Sequence, residues 1–99
     1  MYARVSTYQG PPDQIDEGVR CAQENIVPRV GEVDGFEGVY FLVDRQSGKA
    51  LSITLWESEE TLRSSEQQTN QLRSETAEAG GQEVMGVERY EVASSPERG

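Results

Sequence analysis

Apolar positions recur along this chain in two rhythms, and the changes of rhythm mark its elements. "YARVSTY" (Tyr2 to Tyr8) is β-branched and aromatic and stops at the breaker "GPP", so it reads as a first strand. From Pro12, suited to a first helical position, the apolar residues change spacing. Ile15, Val19, Ala22, Ile26, Val30 and Val33 follow at threes and fours and form one helical stripe. Pro28 interrupts that stripe and predicts a bend, and Gly35 is placed to end the helix in a left-handed conformation. The period of two returns in "FEGVYFLVD" and "KALSITLWE", two strands joined by "RQSG" with Gly48 supplying the turn. Ser58 is a cap for a second helix that opens with Glu59 and Glu60, runs to about Ala79 and stops at Gly80-Gly81. "EVMGVERYEV" is a last strand. Residues 1–93 form one domain on this reading, and 94–99 are a disordered polar tail.

The order βαββαβ predicts an α+β, ferredoxin-like fold: a four-stranded antiparallel sheet with two helices on one face. Pairing Val43 with Ala50 across the hairpin puts Phe36, Tyr40, Leu42, Leu51, Ile53 and Leu55 on one face. The other face carries Val39, Phe41, Val43, Ser52, Thr54 and Trp56. Both faces are largely apolar, yet two helices cover only one. The uncovered face predicts a homodimer, since soluble monomers rarely expose such a patch. A one-residue slip of register would exchange the faces and is the competing account. The second helix turns Leu62, Ser65, Thr69, Leu72, Thr76 and Ala79 inward. These small polar residues face Ser52, Thr54 and Trp56, which fits either a ligand pocket or a helix lying close on the sheet.

Composition narrows the partners. A net charge of −9 and few basic residues argue against nucleic acid. No apolar run is long enough to span a membrane, "MYARVSTYQG" lacks the plan of a signal peptide, and Cys21 stands alone; together these predict a cytoplasmic setting. Leu, Ile, Val and Phe make up only about a fifth of the chain, so the core is thin. Histidine is absent, which removes histidine triads, ligands and shuttles. The carboxylates are scattered along helix exteriors and predict no metal site. No phosphate loop or dinucleotide glycine pattern is present. Cys21 has only Arg20 as a basic neighbour, and an inert thiol is the simpler reading.

The segment "DGFEGVYFLVDRQSGKALSITLWESEETLRSS", with Pro28 late in the first helix, resembles the antibiotic biosynthesis monooxygenase family of dimeric α/β-barrel proteins. The likeness extends over about residues 2–92, and its core is a Trp ending the third strand before Glu-Ser and an acidic helix start. The resemblance implies a homodimer whose sheets pack face to face, with a cavity between sheet and helices in each subunit. Haem-degrading members use an Asn on the first strand and a His in the second helix. Ala3 and Glu66 stand there, so haem degradation is not expected.

Other members oxidise aromatic, polyketide-like molecules with dioxygen and no cofactor. That chemistry needs a base, an oxyanion donor and a dry aromatic wall. The expected substrate-binding residues are Trp56, Phe41, Thr54, Ser65, Glu66 and Thr69. Glu66 serves as a base only if burial raises its pKa. Tyr40, Tyr90, Arg4 and Arg89 are the unranked oxyanion donors. Each has a plainer reading as core aromatic, solvated carboxylate or edge contact. A non-catalytic dimeric binding module is the alternative function.

Overall fold

A computed structural model describes residues 1–79 and 81–94. Its elements in chain order are β1 (Tyr2–Gln9), a 3-10 turn (Pro12–Gln14), α1 (Ile15–Cys21), a π turn (Ala22–Ile26), α2 (Val27–Val30), β2 (Phe36–Asp44), β3 (Lys49–Trp56), α3 (Glu59–Ser64), α4 (Glu66–Ala79) and β4 (Glu83–Glu91). The four strands form one antiparallel sheet in the order β2-β3-β1-β4. This is the ferredoxin-like α+β fold that the alternating rhythms predict. Residue 94 of the expected tail is exposed and without regular structure, and 95–99 lie outside the described residues.

The register puts Val43 opposite Ala50, as the hairpin reading requires. The side chains of the helix-covered face fall in rows across the sheet. Glu91, Tyr2, Trp56 and Phe36 form one row; Arg89, Arg4, Thr54 and Val39 the next; Val87, Ser6, Ser52 and Phe41 the third. Phe36 departs from expectation. A bulge between Phe36 and Gly38 adds a residue to β2 and moves Phe36 to the face of Trp56, where the rings meet edge to face at 5.7 Å.

The first helical segment is interrupted next to Pro28, where the sequence predicts a bend, and the second differs from the single rod expected. Pro28 lacks an N–H, and the backbone absorbs this by widening the preceding turn, with the Val27 N–H reaching back to the Ala22 carbonyl. The helix ends at Val30, so Val33 lies in the following turn. Gly35 does take the left-handed conformation (φ 84°), but it serves the entry to β2 rather than the helix end. A Cβ there would run into Thr61, and its carbonyl accepts from the Glu57 N–H at 2.8 Å. Ser58 caps α3 as expected, in a reciprocal box with Thr61. The run to Ala79 is broken at Ser65. At its end Gly81 is left-handed (φ 63°) and the Gln82 N–H closes on the Ala77 carbonyl at 2.7 Å, while Gly80 lies outside the described residues.

Ala22, Ile26, Val30, Trp56, Leu62 and Leu72 make the buried core, with Tyr2, Val33, Phe36 and Phe41 packed against it. Trp56 is its centre and has no exposed surface. The opposite face of the sheet is bare among the described residues. Leu51, Ile53, Leu55 and Val5 are only half-buried there, and Tyr40 (63 % exposed), Leu42 and Tyr90 project from it.

The hairpin tip has one replaceable-looking residue that is not replaceable. Gly48 sits at φ 82°, and a Cβ would fall 1.9 Å from the Gly10 carbonyl oxygen of the loop after β1. Gly48→Ala is therefore expected to lower stability by about 2 kcal/mol, read as a reduced urea midpoint at unchanged slope.

Candidate functional site

The space between sheet and helices is a cleft containing about 450 Å³ of atom-free volume, its open mouth included. Its deepest part has room for roughly three water-sized molecules. Arg4, Ser6 and Tyr8 of β1 form the floor with Ser52 and Thr54 of β3 and Val39 and Phe41 of β2. Ile26, Val27 and Val30 form one wall, and Thr69, Leu72, Arg73 and Thr76 of α4 form the other. Alternation on the strands and the three-and-four spacing on α4 bring these side chains to one space. The apolar groups lie mainly on the first helical segment and β2. The hydrogen-bonding groups lie on β1, β3 and α4.

Arg4 governs the polar side. It is 2 % exposed, and its guanidinium carbon lies 5.4 Å from the centre of the Trp56 ring. One nitrogen, Nη2, makes all its polar contacts: it donates to the Leu62 carbonyl (2.6 Å) and Ser65 Oγ (3.2 Å) and lies 3.0 Å from Glu66 Oε1. The contact explains the break at Ser65. In an unbroken helix the Leu62 carbonyl would accept from the Glu66 N–H; here Arg4 and Ser65 Oγ (2.7 Å) take it. Burial pulls the Arg4 pKa down, and Glu66 opposes that pull.

Glu66 is divided between two arginines. Arg89 Nε and Nη2 donate to its two oxygens at 2.5 and 2.7 Å, and Arg4 approaches from the other side. The hydrogen bonds from Arg89 and then Arg4 outweigh partial burial and hold its carboxyl at about 2. The expectation of a base activated by burial is thus reversed: at neutral pH this carboxylate is a weaker base than a free one. It does not line the cleft.

Arg73 and Tyr8 complete the floor. Arg73 Nε donates to Ser6 Oγ at 3.0 Å and Nη1 to Asn70 Oδ1, and no carboxylate pairs with it among the described residues. The Tyr8 hydroxyl lies 3.2 Å from Ser52 Oγ, and burial raises its pKa, so at neutral pH it is a neutral phenol able to donate. Among the described residues Arg4 Nε and Nη1 and Arg73 Nη2 are buried without a hydrogen-bond partner.

Of the six substrate-binding residues expected from sequence, Phe41, Thr54 and Thr69 line the cleft. Trp56, Ser65 and Glu66 stand one layer back, gathered around Arg4. Trp56 Nε1 is occupied by Thr54 Oγ1 at 2.9 Å. Of the oxyanion candidates, Arg4 lines the cleft, while Tyr40 points from the bare face and Tyr90 shares that face, hydrogen-bonded to Glu88. Sequence reasoning missed Tyr8, Ser6 and Arg73. The signals were present: Tyr8 and Ser6 share the parity of Arg4, and Arg73 lies four residues beyond Thr69. Cys21 is half-buried beside Asn25, away from the cleft. No three His, Cys, Asp or Glu side chains cluster to hold a metal ion among the described residues. Nor is any described helix long and apolar enough to cross a membrane.

No protein-family model matches the chain. The uncharacterized protein Rv2557 of Mycobacterium tuberculosis H37Rv is 35 % identical over 94 residues, which is 95 % of this chain and 42 % of that protein. Rv2558 of the same strain is 35 % identical over 77 residues, 78 % of this chain and 33 % of that one. The chain thus spans less than half the length of these curated relatives. Among solved structures, the monooxygenase ActVA-Orf6 of Streptomyces coelicolor, in complex with nanaomycin D, superposes with a TM-score of 0.67 at 19 % identity, covering 97 % of this chain and 92 % of that one. SnoaB, a cofactor-independent oxygenase from Streptomyces nogalater, gives 0.65 at 14 %, covering 95 % and 94 %. A dimeric ferredoxin-like protein from an uncultured marine organism gives 0.64 at 12 %, covering 99 % and 93 %. The chain has the fold of antibiotic biosynthesis monooxygenase-like, ferredoxin-type proteins.

The Glu66 geometry yields a pH prediction. Its folded pKa of about 2 lies below the ordinary 4.5, so its stabilisation is complete above the unfolded value and disappears as pH falls from about 5 to 2. Partial exposure limits this contribution to about 2 kcal/mol. Chemical denaturation should show Glu66→Gln less stable than wild type at pH 7, with the gap narrowing over that acid window.

Proposed function

We propose that the chain, as a domain over residues 1–93, works as a homodimer that takes a small aromatic or enolisable molecule into the cleft and oxidises it with dioxygen without a cofactor. The observation that carries this reading is the division of the cleft. Ile26, Val27 and Val30 on one wall, with Val39 and Phe41 of β2, give an apolar side, and Arg4, Arg73 and Tyr8 on β1 and α4 give hydrogen-bond donors. A planar ring packs on the first side while its oxygen substituents meet the second. For an anthrone-type substrate the reaction balances without another reductant. A ring CH2 and one O2 become C=O and water, the substrate supplying all the electrons. The protein's part is to hold the deprotonated substrate dry and to stabilise its oxygen. The likeness in fold to SnoaB, a cofactor-independent oxygenase, supports this class of chemistry.

The homodimer is supported by the bare face of the sheet, where Tyr40, Leu42, Ile53, Leu55 and Tyr90 need cover. Such a dimer leaves the cleft, on the other face, accessible in each subunit. A cytoplasmic setting agrees with the free Cys21. One observation favours the second reading, a binding module without turnover: among the described residues no carboxylate lines the cleft to act as a base.

Oxygen-electrode measurements with a panel of anthrones and polyphenols should show ligand-dependent uptake. In Tyr8→Phe, uptake should fall on the order of a hundredfold with the fold intact by circular dichroism. Binding of the panel without uptake would favour the binding module. Sedimentation equilibrium should give twice the 11.0 kDa chain mass for wild type. Ile53→Glu, a charge placed on the bare face, should shift the mass to a single chain.

A further inference from the structure

Two guanidiniums, Arg4 and Arg73, line the polar side of the cleft, and a third, Arg89, stands outside it against Glu66, the carboxylate it shares with Arg4. Glu66 is engaged by Arg89 and by Nη2 of Arg4, and Arg73 has only the neutral partners Ser6 and Asn70. Among the described residues the remaining titratable group lining this space is Tyr8 on β1, held neutral by burial. The parts of β3 and of the first helical segment that line the cleft contribute only Ser52, Thr54, Ile26, Val27 and Val30, and those of β2 only Val39 and Phe41. The local excess is therefore positive, inside a chain whose overall charge is −9. Burying an arginine charge without full compensation costs several kcal/mol, and an arginine cannot escape by losing its proton.

Two of these side chains also have nitrogens to spare. Arg4 Nε and Nη1 and Arg73 Nη2 are buried without partners among the described residues, and both residues line the cleft. Arg4 is fixed by three contacts through Nη2 and by the face of Trp56; Arg73 is fixed through Nε and Nη1. They are held in place by some of their donors while others stay free. Preorganised guanidinium donors of this kind select an oxyanion, because charge-assisted hydrogen bonds are roughly twice as strong as neutral ones.

We propose that the cleft binds its ligand as an anion, with a charged oxygen group of a planar molecule seated between Arg4 and Arg73 and its ring on the apolar wall. The ligand class is thus an aromatic or conjugated acid, whose charged group is a carboxylate or an acidic phenol or enol. This rests on the reading of the cleft as the ligand site, and it adds the charge that the ligand must carry. Tyr8 and Ser52, hydrogen-bonded to each other beside Arg73's partner Ser6, supply neutral donors at the edge of the same group. Glu66 is the internal counter-charge that lets Arg4 remain buried before the ligand arrives.

The test uses three probes of one shape: para-nitrophenol, para-nitrobenzoate and para-nitroanisole. All are followed by quenching of Trp56, the single tryptophan, which lies against Arg4. At least one anion should bind about tenfold or more tightly than the neutral anisole. Bound para-nitrophenol should have its apparent pKa lowered by about one unit or more, seen in its phenolate absorbance. Arg73→Gln should remove most of the preference, and Arg73→Lys, which keeps the charge, should retain part of it. Tighter binding of the benzoate identifies a carboxylate ligand, and tighter binding of the phenolate identifies an acidic phenol or enol. Equal binding of anisole and anions overturns the proposal while leaving the cleft a ligand site. Failure of all three probes to bind overturns both. An anion preference that survives in a folded Arg73→Gln protein overturns the assignment to Arg73.

Discussion

A guanidinium that keeps its proton has been placed under the helices of a small protein, and much of the rest of the molecule follows from it. Arg4 cannot be hydrated in that position and cannot be neutralised, so every polar group within reach is recruited. The Leu62 carbonyl leaves its helical partner for it, which divides the second helical segment at Ser65. Glu66, the first residue past the break, is positioned to approach it, and Arg89 on the edge strand steadies that carboxylate from outside. Trp56 offers the face of its ring from below. The aromatic that the sequence makes conspicuous is thus a support for a charge, one layer removed from the open space.

The same economy shapes the two sides of the sheet. One side carries a buried core that is narrow and interrupted by a polar cleft. The other carries a broad apolar surface with no cover from the described residues. Core and cleft share the helix-covered face, Ile26, Val30 and Leu72 belonging to both. The acidic exterior and the basic interior are separate.

The fold was legible because period-two and period-three-and-four patterns are long-range averages that single residues rarely overturn. The register of the hairpin, the face of Phe41 and Thr54 and the buried Thr69, Leu72 and Thr76 of α4 follow from them, although Ala77 rather than Ala79 is the buried residue at the end of that stripe. Phe36 was misplaced because a bulge at Gly38 inserts one residue and inverts the parity upstream of it, which no alternation rule contains. Glu66 was misjudged because its pKa depends on Arg4 and Arg89, partners 62 and 23 residues away in the chain that fold only in three dimensions. The helix break at Ser65 has the same origin, since its cause is a side chain on β1. Tyr8 and Arg73 were readable by parity and spacing, but the aromatic prominence of Trp56 drew attention from them.

The strand order has a consequence for how the molecule is assembled on the ribosome. β1 occupies the interior of the sheet, and its neighbours are β3 and β4, so the segment translated first among the four strands is hydrogen-bonded on both edges to segments translated much later. Until residues 49–56 emerge it has no neighbour on one side, and until residue 91 it has none on the other. The nascent chain must therefore carry an incompletely paired strand through the synthesis of the other three, with a charged arginine in it that discourages its stacking on other exposed strands.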